Sequence, residues 1–425
     1  MKFDFDSYGL YQTGKIIRHS VRVKVRMNDV VDGDILRKSV NVATQRYPYF
    51  RKKITVNEEG AYVLLDNSSQ IAVFKTKKHN PELCSKEVNN HILYVDYEDR
   101  DIYFNISHSF AGGKGIQPWV MTCVYQYVKE KYNVEINAPA IRKPGSELLE
   151  TETGVPTYDL LSKEEPIYEY VPEKTYSPYL DYVNGFVNPF AKKECYYIFT
   201  FKQDEIMKYC RISDSSVASL FNVLMFKALD KVLPENIRSI RGILAHNPCS
   251  SFGIKDAHSD FLSHIKVDYT REMAKYDMRK LGTITRGQMI LQSDPSVSSV
   301  EVKKKLDLYK GIDDCTGLKE KRKYAKENNL SLGKGAVHGA YHVNYTGYYD
   351  WGDLVNYVES FVFIVDAHLV IEISALGDKI FFAPMQLVKS KKYIKAFEEV
   401  LKELNISYKL EGPYDKKLPA QDFPR

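Results

Sequence analysis

Tyr103-Phe104-Asn105-Ile106-Ser107-His108-Ser109-Phe110-Ala111-Gly112-Gly113-Lys114-Gly115 carries the reading of this chain. The strand-like run Ile102–Ser107 delivers one histidine to its end, and the glycines let the chain turn away without side-chain clashes before a helix begins. His108 is thereby held on a rigid element and aimed at a junction. A neutral imidazole there can take a proton from a hydroxyl or an amine, and the positive end of the following helix disfavours the imidazolium. The competing reading is a histidine that closes a hydrogen bond at a strand end.

The surrounding pattern mixes strands and helices. Upstream, Val21, Val23 and Val25 alternate with Arg22, Lys24 and Arg26, which predicts a strand with one buried face. Asp32 caps an amphipathic helix bearing Ile35, Leu36, Val40 and Ala43, and Pro48 stops it. Strands are predicted at 61–65 and 92–97. Downstream of the glycines, a helix carries Ile116, Trp119, Val120, Cys123, Val124, Tyr127 and Val128 on one stripe, with Pro118 in its first turn.

Between Pro139 and Pro189 seven of the chain's 17 prolines fall among Tyr, Glu and Ser, so no periodic element is sustained there. Regular pattern resumes with a strand near 196–202, a helix after Ser213, strands near 240–245 and 262–267, and a charged helical stretch over 271–330. Strands at 360–365, 369–374 and 379–382 and a helix over 389–404 close the chain. The organisation expected is a first half, residues 1–138, a Pro/Tyr-rich crossover, 139–189, and a second half, 190–425. The fold class is α/β, each half a mixed sheet with helices. Limited proteolysis is expected to cut first between Pro139 and Pro189.

A chain of 425 residues exceeds one ordinary core, which agrees with two halves. A net charge of +5 spread along the whole length is too weak for a nucleic-acid footprint. No apolar run approaches the ~18 residues of a membrane span. Asp4 and Asp6 stand where a signal peptide needs a basic start, so a cytoplasmic protein is expected. The six cysteines form no Cys-x-x-Cys pair, and no metal is expected. His338 and His342 have a zinc-binding spacing for a helix, but Gly339 stands where the metalloprotease motif has glutamate and the flanking residues read as strand. Gly113-Lys114 fails as a phosphate loop, because His108 and Gly115 occupy positions needing Gly and Ser or Thr. Cys249 has no marked partner and reads as a buried thiol.

The window Ser107-His108-Ser109-Phe110-Ala111-Gly112-Gly113 resembles the His-His-x-x-x-Asp-Gly signature of the CoA-dependent acyltransferase superfamily, which holds chloramphenicol acetyltransferases, free-standing alcohol acetyltransferases and condensation domains. The second histidine and the last glycine match. Ser107 replaces the first histidine and Gly112 the aspartate. Arg46-Tyr47-Pro48-Tyr49-Phe50-Arg51 is similar to the family's Arg-x-Pro-x-Leu/Phe-Arg element. The segment 241–260, with His246-Asn247-Pro248 and then Ser259-Asp260-Phe261, and Val343-Asn344-Tyr345-Thr346-Gly347 followed by Asp350-Trp351-Gly352 resemble elements of the alcohol acetyltransferase branch.

The resemblance implies two chloramphenicol-acetyltransferase-like halves facing across a tunnel, with His108 midway as the catalytic base. Acyl-CoA is then the cosubstrate, no cofactor is resident, and the acceptor is a small molecule with a hydroxyl or amine. Asn344, Thr346 and Asn247 are the expected acceptor and oxyanion wall, and Ser107, Gly112 and Gly113 form the motif loop. The basic runs holding Lys303, Lys304 and Lys305, and Lys319 and Lys321, are the expected contacts for the CoA phosphates; the competing reading is a solvated helix face. Two alternatives stand beside this reading: a condensation-type enzyme whose donor is a carrier-protein thioester, and a degenerate member that binds a ligand or partner without turnover. Because Gly112 stands where the family has its structural carboxylate, Gly112→Asp is expected to introduce a charge with no prepared partner.

Overall fold

The computed structural model describes residues 5–14, 18–172, 175, 187–259, 261–328 and 339–424. Its first sheet is built around β1 (Ser20–Met27), which pairs antiparallel with β6 (Asp101–Ser107) on one side; β5 (Leu93–Glu98) and the short β4 (Val73–Lys75) continue outward. The other neighbour of β1 is β11 (Val358–Val365), from far along the chain, with Val21 opposite Val365 and Met27 opposite Val358. The run at 61–65 becomes β3 (Tyr62–Asp66), which makes a separate hairpin with β2 (Lys52–Val56).

The alternation in β1 predicts one wet face, and the structure buries both. Arg22 is 2% exposed and lies bidentate on Asp96, at 3.0 and 2.8 Å, with Asn105 and the Tyr103 ring completing its surroundings. Lys24 pairs with Asp101 at 3.0 Å beneath the Tyr414 ring. The charged face is dry because the second half packs over it, and carboxylates neutralise it there.

After a one-turn helix α1 (Phe5–Tyr8), helix α2 (Gly33–Thr44) starts at Asp32, whose carboxylate accepts from the Asp34 and Ile35 N–H groups. Helix α3 (Gly113–Tyr132) is not amphipathic: residues 115–125 are all buried. It begins at Gly113, so Pro118 falls in the second turn rather than the first. The indole N–H of Trp119 donates to Thr44 on α2.

The second sheet has seven strands in the order β14-β7-β13-β12-β10-β8-β9: β7 (Lys192–Lys202), β8 (Ser239–His246), β9 (Ser263–Thr270), β10 (Tyr341–Tyr345), β12 (Val370–Leu376), β13 (Lys379–Val388) and β14 (Lys409–Asp415). Helices α4 (Gln203–Ile212), α5 (Val217–Val232) and α9 (Lys392–Glu403) cover its outer face, in a core with Leu244, Val343, Ile371, Ile373 and Phe382. The charged stretch forms α6 (Met278–Ser293), α7 (Pro295–Asp313) and α8 (Leu318–Glu327).

The inner face changes character across the sheet. On β7 and β13, Tyr196, Ile198, Phe381, Ala383 and Met385 belong to the core shared with the first sheet. Register carries that face from Ala383 to Glu372 on β12, to Asn344 and His342 on β10, and through Ile243 to Lys266 and His264. There it is polar, and His342, Asn344, His264 and Lys266 are only half-buried. Apolar contact joins the two sheets along β7 and β13, and the inner face is polar and half-buried along β10 and β9.

The described part of the crossover does not hang free. Glu152 is fully buried, the Ser162 and Ile167 N–H groups donate to Ser299 and Ser296, and Tyr170 donates to Asp268 on β9.

Candidate active site

His108 leaves the end of β6 half-buried. Its Nδ1 lies 2.9 Å from the Ala111 carbonyl oxygen. A carbonyl only accepts, so Nδ1 carries the proton and in the neutral ring the lone pair sits on Nε2. The local sequence explains this: the backbone turns back at Ala111, just before the glycines, and presents that oxygen to the ring three residues upstream. The His108 N–H donates to the His19 carbonyl at 2.8 Å, and the His19 ring stacks on the His108 ring with centroids 5.3 Å apart and planes at 29°.

Gly112 is the N-cap of α3, with extended backbone (φ −80°, ψ 174°). Its N–H donates to the His258 carbonyl at 3.1 Å. A Cβ on Gly115 would fall 2.3 Å from that same carbonyl oxygen, so the loop around His258, from the second half, sits directly on the start of α3. His258 is itself anchored: Nδ1 donates to the Glu152 carbonyl at 2.7 Å, and Nε2 lies 3.0 Å from the Asp6 carboxylate. Burial lowers the His258 pKa, but Asp6 outweighs it and the net shift is upward. Ser107 is fully buried, and its hydroxyl has no hydrogen-bond partner among the described residues.

Thr346 reaches the motif loop from the other side: a Cβ on Gly113 would lie 2.6 Å from its Cγ2. Its hydroxyl donates to Gln117 Oε1 on α3 at 3.1 Å. At the opposite end of β10, the His342 N–H donates to Leu369 in the turn between β11 and β12. Asp366, in that turn, pairs with Arg18 beside His19. Strand β10 is thus tied to Gly113 at one end and, through Leu369, to the turn that holds Arg18 at the other, and its inner row carries His342 and Asn344. Asn344 donates from Nδ2 to Glu372 at 2.7 Å, and the His342 and His264 rings are 6.0 Å apart.

The Asn247 side chain accepts from the Cys249 N–H and starts the turn Pro248–Phe252. Cys249 is buried. Lys303, Lys304 and Lys319 are exposed, whereas the Lys305 ammonium lies over the Phe261 ring. Lys321 is buried, and its ammonium donates to the Ile312 and Asp313 carbonyls, capping α7; it is committed to that helix end rather than to a solvent phosphate. Asp260 and His338 lie outside the described residues. Sequence reasoning passes over His19, Glu152, His258, His264 and Glu372, because no local pattern marks a residue that meets its partner far along the chain, 28 positions away for Glu372 and 252 for His258.

No protein-family model and no curated protein matches the sequence. Solved structures do, over nearly the whole chain. F. sporotrichioides TRI101 complexed with coenzyme A and T-2 aligns over 95% of this chain and 98% of its own, at 10% identity and a TM-score of 0.57. TRI3 trichothecene 15-O-acetyltransferase from Fusarium sporotrichioides aligns over 93% of each chain, at 10% identity and 0.57. The first condensation domain of the calcium-dependent antibiotic synthetase aligns over 94% of this chain and 96% of its own, at 8% identity and 0.56. The chain has the two-lobed, chloramphenicol-acetyltransferase-like fold of CoA-dependent acyltransferases and condensation domains.

Proposed function

We propose that this protein is an acyltransferase that moves an acyl group from acyl-CoA to a hydroxyl or amine acceptor, with His108 as general base. The observation that carries the reading is the Nδ1–Ala111 bond, which leaves Nε2 as the basic nitrogen of the ring. Nε2 takes the acceptor proton as its oxygen or nitrogen attacks the thioester carbonyl. The tetrahedral oxyanion collapses, the carbon–sulfur bond breaks, and the CoA thiolate recovers the proton from the imidazolium. The Asn344 amide retains a second N–H besides the one given to Glu372, which suits the oxyanion; the Thr346 hydroxyl is already spent on Gln117, and Asn247 keeps an amide for the acceptor. Lys303, Lys304 and Lys319 are the exposed cations offered to the CoA phosphates.

The test measures free thiol against acylated product for a panel of acyl-CoAs and of alcohols and amines, with an acylated carrier protein as a second donor. Thiol is expected only in step with product, with no acyl group added to the intact protein. His108→Ala is expected to abolish transfer in a folded protein, and Cys249→Ala to leave turnover nearly unchanged. An acyl adduct on Cys249, or thiol release undiminished in His108→Ala, sinks the mechanism. Release from the carrier protein alone moves the donor to that class. No release from either donor leaves the non-catalytic binder as the reading.

A further inference from the structure

His19 has φ 49°, in the left-handed region that non-glycine residues seldom occupy, though histidine enters it more readily than most. Such a conformation persists only where surroundings over-determine it, and it collects at functional sites. Here the determinants can be named. The His19 carbonyl accepts from the His108 N–H and from Gln421 Nε2, both at 2.8 Å, and Gln421 also donates to the Arg18 carbonyl at 2.6 Å. Ser20 Oγ donates to the Pro419 carbonyl, and Arg18 is pinned by Asp366 and Glu194. On the ring side, Nδ1 lies 3.2 Å from Ser109 Oγ, and the ring stacks on His108. Ser109 is backed by Gly9, where a Cβ would come 2.8 Å from that same oxygen.

We propose that His19 is a positioning residue for His108: it fixes the plane of the imidazole by stacking and the start of the loop by its carbonyl, and the C-terminal tail, through Gln421, holds His19 in the strained form that permits both. The second ring beside the base thus comes from residue 19 and not from the adjacent motif position, where Ser107 is buried. The Nδ1–Ala111 bond fixes one point of the ring, and the stacked His19 fixes its plane. The inference rests on His108 being the base, and the experiment keeps the two apart.

The informative variants are His19→Gly, which relieves the backbone and removes the ring, and His19→Phe, which keeps a ring. In His19→Gly, thermal stability is expected to hold or rise while kcat falls roughly tenfold to a hundredfold at little-changed KM, an opposition that a merely structural role does not produce. His19→Phe is expected to recover most of kcat, and Gln421→Ala to fall in the same direction as His19→Gly. Independently of turnover, the His108 Nδ1–H signal in spectra of ¹⁵N-histidine-labelled protein, assigned by its loss in His108→Gln, is expected to be protected from exchange in the parent and in His19→Phe and exposed in His19→Gly. An unchanged signal together with unchanged kcat in His19→Gly overturns the proposal, and failure of His19→Phe to recover either readout overturns stacking as its means. If no acyl transfer is found with any donor, the Nδ1–H signal alone decides, and the positioning survives the loss of the proposed activity.

Discussion

At position 112 the side chain is missing but the backbone is not neutral about what would fit. Read along the sequence, an aspartate there meets no prepared partner. The observed φ −80° and ψ 174° are those of an N-cap, the place where a carboxylate accepts from N–H groups of the first helical turn and faces the positive end of the dipole. The expectation is therefore revised: Gly112→Asp should change stability by less than about 1 kcal/mol, since glycine is itself a tolerated cap. Denaturant midpoints of the two proteins check this, and a loss above about 2 kcal/mol would mean that the buried-charge cost wins after all. His108 and its glycine loop are legible from sequence because strand, histidine and turn are contiguous. The tautomer is not, since the Ala111 carbonyl is oriented by folding, and neither is His19, whose stack depends on a pairing between β1 and β6.

Among the elements, the crossover shows how far proline content misleads. Its prolines exclude periodic structure, and the described part is nonetheless fastened to both lobes through Glu152. That carboxylate, with no exposed surface, accepts from Arg46 at 2.6 and 3.2 Å, from Tyr49 at 2.9 Å and from the Leu149 N–H at 3.1 Å, and pairs with Arg142 at 3.0 Å. Burial pushes its pKa up, but Arg46, the Leu149 N–H, Tyr49 and Arg142 together outweigh it, and the net shift is downward. A carboxyl depressed in the folded state contributes stability above its unfolded value near ~4.3, and that contribution is lost as pH falls through the folded value. Glu152→Gln should accordingly cost about 3–5 kcal/mol at pH 7, because it leaves Arg46 and Arg142 facing a neutral amide. The deficit should begin to shrink as pH drops below about 4, where the unfolded parent's carboxyl takes up its proton, and close further as pH falls through the depressed folded value. Denaturant midpoints from pH 7 to pH 3 test both parts, and a deficit constant over that range removes Glu152 as the anchor. The Arg46-Tyr47-Pro48 segment is visible in the sequence, but its partner lies 106 positions away and carries no local mark.

At the scale of the whole molecule the two lobes are interleaved, which reading along the chain cannot show because register between distant strands is set by packing and not by neighbours. The first sheet takes β11 from residues 358–365, and Ser20, Arg18 and His19 are held by the tail at 418–421. The charged face of β1 is dry only because Tyr414 and the second sheet lie over it. A cut at residue 138 separates β1 from its partner β11, and the two pieces are therefore expected not to fold independently. Residues 1–138 produced alone would expose the whole β11-side edge of β1, where Val21 to Met27 offer unpaired N–H and C=O groups beside apolar side chains, and an open edge of that kind pairs with other copies. Arg22 and Lys24 would regain water, so the loss is not one of charge neutralisation; it is the missing ladder and the missing apolar cover from Phe361 and Phe363. The expected outcome is an aggregated or unfolded 1–138 fragment, brought into solution by co-production with residues 139–425, while the full chain unfolds in one transition by circular dichroism and by tryptophan fluorescence. A monomeric 1–138 fragment with its own cooperative transition would show that β11 is dispensable and that the lobes fold separately.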